Sequence, residues 1–250
     1  MVKKSYNLGF ISDADFYEHV KNTIKAYRFV IDLELFNKNI VDPIKLTFDH
    51  YIYEKSLEDV IEQECLRQID KSNNNQIGYF HQNIFKYLSP DWVVPLKGDD
   101  IYNKKLKIHC EMKNKHNTMN ASSSQKTFMR MLAILNKDPM ATCYLVEILA
   151  KRSQDIPWAI SLDATPIKDE RIRRISIDRF YELVTKDPLA FKKLCLVLPQ
   201  AIQDVLKDNT EELSFQNTVI QELQTISPNI LESLYLHSFK TYEGFDSFDV

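Results

Sequence analysis

The 250 residues are 44% hydrophobic and 27% charged, a balance that can bury a core and excludes a disordered chain. No apolar run approaches the roughly 18 residues of a membrane span, and the start "MVKKSYNLGFISDADF" lacks the apolar core and cleavage site of a signal peptide, so a cytosolic protein is expected. The formal charge of -3 hides an asymmetry: between 101 and 131, Lys104, Lys105, Lys107, Lys113, Lys115, Lys126 and Arg130 face one acid, Glu111, a local excess that suits an anionic partner.

In chain order, "DADFYEHVKNTIKAYRFVID" carries apolar residues at helical spacing after a capping Asp, and "SLEDVIEQECLRQIDKS" opens with Ser56 and Asp59, a variant of the capping box. "SNNNQIGYFHQNIFKYL" reads as a polar break and a further short helix whose aromatics belong to the core. From Asp91 the texture changes. "DWVVPL" is a short strand, "GDDIYNKKLKIHCEMKN" is two strands around a polar turn at 103–105, "SSSQKTFMRMLAIL" is a helix capped by a serine, and "TCYLVEILA" is a buried strand. Residues 151–175 are the least regular stretch and fit an inserted loop or a hairpin. Beyond Ser176 the segments 176–206, 210–226 and 227–239 read as helices. The fold class is therefore α/β, a central mixed sheet flanked by helices, with a helical N-terminal part and a C-terminal helical cap. Four glycines and the absence of a GxGxxG or Walker string disfavour a β-sandwich and nucleotide chemistry. Cys65, Cys110, Cys143 and Cys195 are scattered singles, expected as buried, reduced thiols rather than a zinc site or disulfide framework.

The stretch that carries chemistry is "HCEMKNKHNTMN", residues 109–120. Alternation puts His109, Glu111 and Lys113 on one strand face and Cys110 and Met112 on the other. Asp100 stands eleven residues before Glu111, where the folded hairpin can bring the two carboxylates together. With the Met112 carbonyl they make an oxygen-rich site suited to Mg²⁺. Lys113 can then orient the attacking water and neutralise charge on a phosphoryl group. Glu-x-Lys alone is weakly specific, since it also marks a solvated strand face; the amide-rich, basic surroundings strengthen the reading.

"IGYFHQNIFKYLSPDW", "GDDIYN", "EMKNKHNTMNASSSQKT" and "IRRISIDRFYELVTKDPLAF" together resemble the type II restriction endonucleases of the PD-(D/E)xK superfamily, and more closely the family that cuts GGNCC or GGWCC sites, over about Glu62 to Pro199. The resemblance implies Mg²⁺-dependent double-strand cleavage of DNA by a homodimer at a palindromic site, 5′-phosphate products and a companion DNA methyltransferase. It maps the Glu and Lys of the motif onto Glu111 and Lys113. Asp100 is preferred as first acid, with Asp91 of Pro90-Asp91 as the alternative and Asp99 a third candidate. An additional carboxylate from an early helix would be Glu64, or Glu62. Candidate DNA contacts are Lys115, His116, Asn117, Asn120, Lys126, Arg173 and Arg174, although Asn117 and Asn120 also suit a loop-fixing role and the arginines a solvated face beside Asp169 and Glu170. His81 and Gln82 read as structural, Trp158 as a core plug, and Ser122, Ser123 and Ser124 as capping residues. One domain over 1–250 is expected, with its catalytic core at about 56–150 and the helical part at about 176–250. A structure-specific repair nuclease and a non-catalytic DNA-binding module remain the rival readings.

Overall fold

The computed structural model describes residues 5–162, 164–208, 214–245 and 247–248. In chain order the elements are α1 (Asp13–Ala26), β1 (Val30–Ile31), α2 (Leu33–Asn37), α3 (Pro43–Ile52), α4 (Leu57–Asn83), a 3₁₀ turn (Ile84–Tyr87), β2 (Trp92–Val93), β3 (Ile101–Asn103), β4 (Ile108–Lys115), α5 (Ala121–Lys137), β5 (Thr142–Leu149), β6 (Asp155–Leu162), β7 (Thr165–Ser176), α6 (Ile177–Thr185), α7 (Ala190–Asp208), β8 (Gln216–Asn217), α8 (Val219–Ile226) and α9 (Ile230–Ser238). No helix among the described residues is long and apolar enough to cross a membrane. The chain divides into two compact units, residues 1–25 with 77–209, and residues 26–76 with 210–250.

The first unit holds a mixed sheet of six strands among the described residues, in the order β2-β3-β4-β5-β7-β6. β3 and β4 form an antiparallel hairpin, while β4, β5 and β7 run parallel. Because successive side chains of a strand point to opposite faces, this sheet has two cores. Ile108, Cys110, Met112, Tyr144, Val146 and Ile175 join Phe16, Phe85, Phe180 and Leu194 on one side. Cys143, Leu145, Trp158 and Ile172 join Phe128, Met131 and Leu135 of α5 on the other. The hairpin reading of 151–175 holds: β6 and β7 pair antiparallel.

The second unit is helical, with a core of Ile31, Phe36, Leu46, Ile61, Cys65, Val219, Leu223 and Leu234. β1 and β8 add a two-residue parallel pairing, Val30 with Gln216 and Ile31 with Asn217. Asp32 and Asp42 cap α2 and α3 by accepting from backbone N–H groups.

Several expectations are corrected. The first helix stops at Ala26 instead of running to Asp32, and its cap is Ser12, whose Oγ accepts from the Asp15 N–H at 3.1 Å; Asp13 instead accepts from the N–H groups of Tyr6 and Asn7. The expected break at "SNNN" does not occur, and α4 runs unbroken through it. There Asn74 donates to Asp70 one turn earlier at 2.8 Å, and Asn73 accepts from the Arg28 N–H at 2.9 Å, so the amides serve the helix rather than interrupt it. The helix expected over 210–226 is confined to Val219–Ile226, since Gln216 and Asn217 pair with β1; residues 210–213 lie outside the described residues. The cap of α5 is Asn120, not a serine: its Oδ1 accepts from the Ser123 N–H at 2.8 Å. Cys65, Cys110 and Cys143 are buried as expected, but Cys195 is exposed.

His19, 4% exposed, bonds through Nε2 to the Phe80 carbonyl at 2.9 Å and stacks on the Phe80 ring at 4.6 Å. Burial lowers its pKa to about 4, and burial with the charge of His19 does the same for His81. In the unfolded chain these imidazoles take up protons from about pH 6.5 downward. The unfolded state therefore binds more protons between about pH 6.5 and 4, and stability falls as the pH drops through that window. Urea titrations should show a loss of roughly 2 kcal/mol per histidine between pH 7 and pH 5, and the His19→Gln/His81→Gln protein should lack that part of the acid loss.

Candidate active site

β4 lies between an antiparallel partner that ends early and a parallel partner that does not. β3 pairs with β4 only as far as Ile101 opposite Cys110. One residue further out, the Asp100 N–H donates to the Cys110 carbonyl at 2.9 Å, and the Asp100 carboxylate accepts from the Met112 N–H at 2.7 Å. The side chain of Asp100 thus continues the ladder where β3 stops. Burial raises its pKa, and the negative charge of Glu111 raises it further.

Glu111 and Lys113 share the face turned to α5, as alternation requires, and Lys113 Nζ donates to Glu111 Oε1 at 2.7 Å. The other oxygen of Glu111 accepts from Arg130 of α5, whose second terminal nitrogen donates to the Gly98 carbonyl at 2.6 Å. His109, on the same face, bonds Asp99 at 2.6 Å. The cluster therefore comprises Asp100, Glu111, Lys113 and Arg130. Asp91 bonds within its own turn to Ser89, at 3.1 Å through its N–H and 3.3 Å through its carboxylate.

Further along the same face lies a residue to which no role was assigned from the sequence. Glu147 stands opposite Lys113 in the β4–β5 register and is 1% exposed. It bonds His116 Nδ1 at 2.8 Å and pairs with Arg174 Nε at 3.4 Å. Arg174 also donates to the Asn117 Oδ1 at 3.3 Å and lies over the Trp158 ring, 6.0 Å from its centroid. Asn117 has φ +53°, a left-handed conformation that asparagine tolerates better than most residues. Lys113, Lys115, Asn117, Ser124, Glu147 and Arg174 line a small pocket.

The structure brings together Asp100, Glu111 and Lys113, and beside them Lys115, His116, Asn117 and Arg174. It does not bring Arg173 there. Adjacent strand residues face opposite ways, and Arg173 is held on the other side by Asp155, at 2.6 Å to its carboxylate and 2.8 Å to its carbonyl. Asn120 is committed to capping α5, and Lys126 is exposed on that helix. Glu64 belongs to the second unit, where Arg67 grips both its oxygens at 2.5 and 2.6 Å and Gln68 donates at 3.0 Å. Trp158 is a core residue, edge-on to Phe128. Arg130 and Glu147 were legible only as a lone cation within an amphipathic helix and a lone acid inside an apolar strand.

The chain matches the Eco47II restriction endonuclease family over residues 8–207. It is 31% identical to the type II restriction enzyme Sau96I of Staphylococcus aureus across 79% of this chain and 80% of that protein. To the type II restriction enzyme Eco47II of Escherichia coli it is 26% identical, across 83% and 92% respectively. The matched span contains the whole six-stranded sheet and every residue of the cluster.

Glu147 holds two cationic or polar partners from different elements, so removing it strands both. Their side chains are 17% and 20% exposed, which lets water soften the loss. Glu147→Ala should cost about 3 kcal/mol in chemical denaturation, against a far smaller loss for the exposed Lys126→Ala; equal effects would show that the network contributes nothing.

Proposed function

Because the chain belongs to the Eco47II restriction endonuclease family, and is thereby a type II site-specific deoxyribonuclease, we propose that it makes Mg²⁺-dependent double-strand cuts in DNA at a short, palindromic GGNCC-like site, leaving 5′-phosphates. The observation that carries this reading is the meeting of Asp100, Glu111 and Lys113 at the end of the β3–β4 hairpin, which supports reading them as the acid, acid and lysine of a PD-(D/E)xK site.

The donor set fits a hard divalent cation. Among the described residues no group of three or more His, Cys, Asp and Glu side chains could hold a metal, so the site would consist of two carboxylates, Asp100 and Glu111, completed by the Met112 carbonyl. Burial first and the charge of Glu111 second raise the pKa of Asp100, and a bound cation would offset both by favouring the ionised carboxylates. When bound, it would polarise the phosphoryl oxygen and make a water nucleophilic near neutral pH. The chain's own groups do the rest. Asp100 is fixed by the Met112 N–H, so its carboxylate is held before substrate arrives. Lys113, 2.7 Å from Glu111, orients the attacking water and offsets the charge that builds on the phosphoryl group.

Lys115, Lys126 and Arg174 would contact phosphates, and His116 and Asn117 would reach the DNA from the loop that Glu147 and Arg174 steady. Asn120 acts through the placement of α5. A palindrome is read by a twofold protein, so a homodimer is the expected assembly. The host, in whose cytoplasm the enzyme would act, needs a DNA methyltransferase to shield the same sites.

Digestion of a long unmethylated DNA of known sequence tests the reading. With Mg²⁺ the wild type should give discrete fragments whose ends share one GGNCC-like site, with none in chelator, and Glu111→Ala should be slower by roughly three orders of magnitude. A smear would favour a repair nuclease, and intact DNA that still shifts on a gel would favour a binding module.

A further inference from the structure

Arg130 has no assigned part in the reaction, yet it occupies the oxygen of Glu111 that a cation would need. Lys113 holds Oε1 at 2.7 Å and Arg130 holds Oε2, so both oxygens of this carboxylate already face positive charge. Formally, Asp100 and Glu111 against Lys113 and Arg130 sum to zero. A divalent ion entering such a cluster meets two cations as well as two carboxylates, and the repulsion offsets much of the attraction.

The geometry of Arg130 is also incomplete. A guanidinium presents a planar fork that binds a carboxylate or phosphate through two parallel bonds. Here Lys113 has taken one oxygen of Glu111, which leaves Arg130 a single bond to that group. Its Nε–H is buried and has no hydrogen-bond partner. The second terminal nitrogen is anchored on the carbonyl of Gly98, in the loop that leads into Asp100. Gly98 has φ +98°, a conformation that L side chains rarely adopt. Arg130 therefore has an unpartnered Nε–H beside the proposed reaction centre and a tether to the segment that carries the first acid. Its side chain is 36% exposed although Nε itself is buried, so pairing that Nε–H with a substrate requires the side chain to move off Glu111.

We infer that Arg130 is an exchange residue: it neutralises Glu111 in the DNA-free enzyme and transfers to a phosphodiester oxygen when DNA enters, freeing the carboxylate for the metal. A phosphodiester offers two oxygens to the fork, satisfying the orphaned Nε–H as Glu111 does not. DNA and metal binding are then coupled through one side chain, because each removes an obstacle to the other. Free enzyme binds metal weakly, and the complete site assembles only on substrate. This rests on the reading of Asp100 and Glu111 as metal ligands.

Calorimetric titration with Ca²⁺, with and without a duplex carrying a GGNCC site, tests the coupling without turnover. In the wild type the duplex should tighten Ca²⁺ binding at least about tenfold. In Arg130→Ala the DNA-free protein should bind Ca²⁺ several-fold more tightly than wild type, and the effect of DNA should shrink toward none. Arg130→Lys, which keeps the charge but loses the fork, should lie between, and supplies the readout if the alanine variant does not fold. Merely structural loss would weaken Ca²⁺ binding or leave it unchanged, and either result overturns the proposal. Glu111→Ala separates the two failures. If it weakens Ca²⁺ binding while Arg130→Ala changes nothing, the exchange is wrong and the ligand assignment stands; if it binds Ca²⁺ like wild type, the ligand assignment fails and takes the exchange with it.

Discussion

The hydrogen bond from the Met112 N–H to the Asp100 carboxylate is the contact on which the site depends. β3 is three residues long and stops at Ile101, so the β4 backbone beyond Cys110 has a donor that the sheet does not satisfy. A buried N–H without a partner is costly. A carboxylate in that place satisfies it and is at the same time brought against the next outward residue, Glu111. The acid pair is thus a consequence of the unequal lengths of two strands. The raised pKa of Asp100 reflects what that placement costs: burial first, and the repulsion of Glu111 second.

The period-two alternation of β4 then assigns the remaining roles. Ile108, Cys110 and Met112 are buried in one core, which fixes the register, because a slip of one residue would turn all three out of that core and put His109, Glu111 and Lys113 into it. The apolar half of the strand therefore determines where the charged half points. α5 covers that charged half in part: Phe128, Met131 and Leu135 pack on Cys143, Leu145 and Trp158, and Arg130, between two of these anchors in sequence, reaches Glu111.

This division explains what could be read from the sequence. The faces of β4, the Asp100 pairing and the sheet-with-helices class follow from local patterns, as does the choice of Trp158 as a core residue. Arg130 and Glu147 do not, because their importance comes from the parallel β4–β5 register and the docking of α5, which no local pattern specifies. Arg173 and Arg174 could not be separated without the phase of β7, and the structure puts them on opposite faces, one with Asp155 and one with Glu147. The unbroken α4 was missed for a different reason. Asparagines are poor helix formers in isolation, but Asn73 meets the Arg28 N–H and Asn74 bonds Asp70 one turn earlier in the same helix, and one tertiary and one intrahelical contact outweigh propensity.

Two carboxylates on one sheet face, Glu111 and Glu147, are each met by an arginine from another element, yet the pairs are suited to different ends. The side chain of Glu147 is 2% exposed and its partner Arg174 20%. Separating that pair would leave a charge stranded away from water, so it stays closed and holds the loop at His116 and Asn117. Glu111 is 12% exposed and Arg130 36%. For this second pair the penalty of opening is smaller, and an incoming phosphate can offset it. The same ion-pair chemistry thus gives a fixed support at one strand position and an exchangeable one beside it, and the difference is set by depth alone.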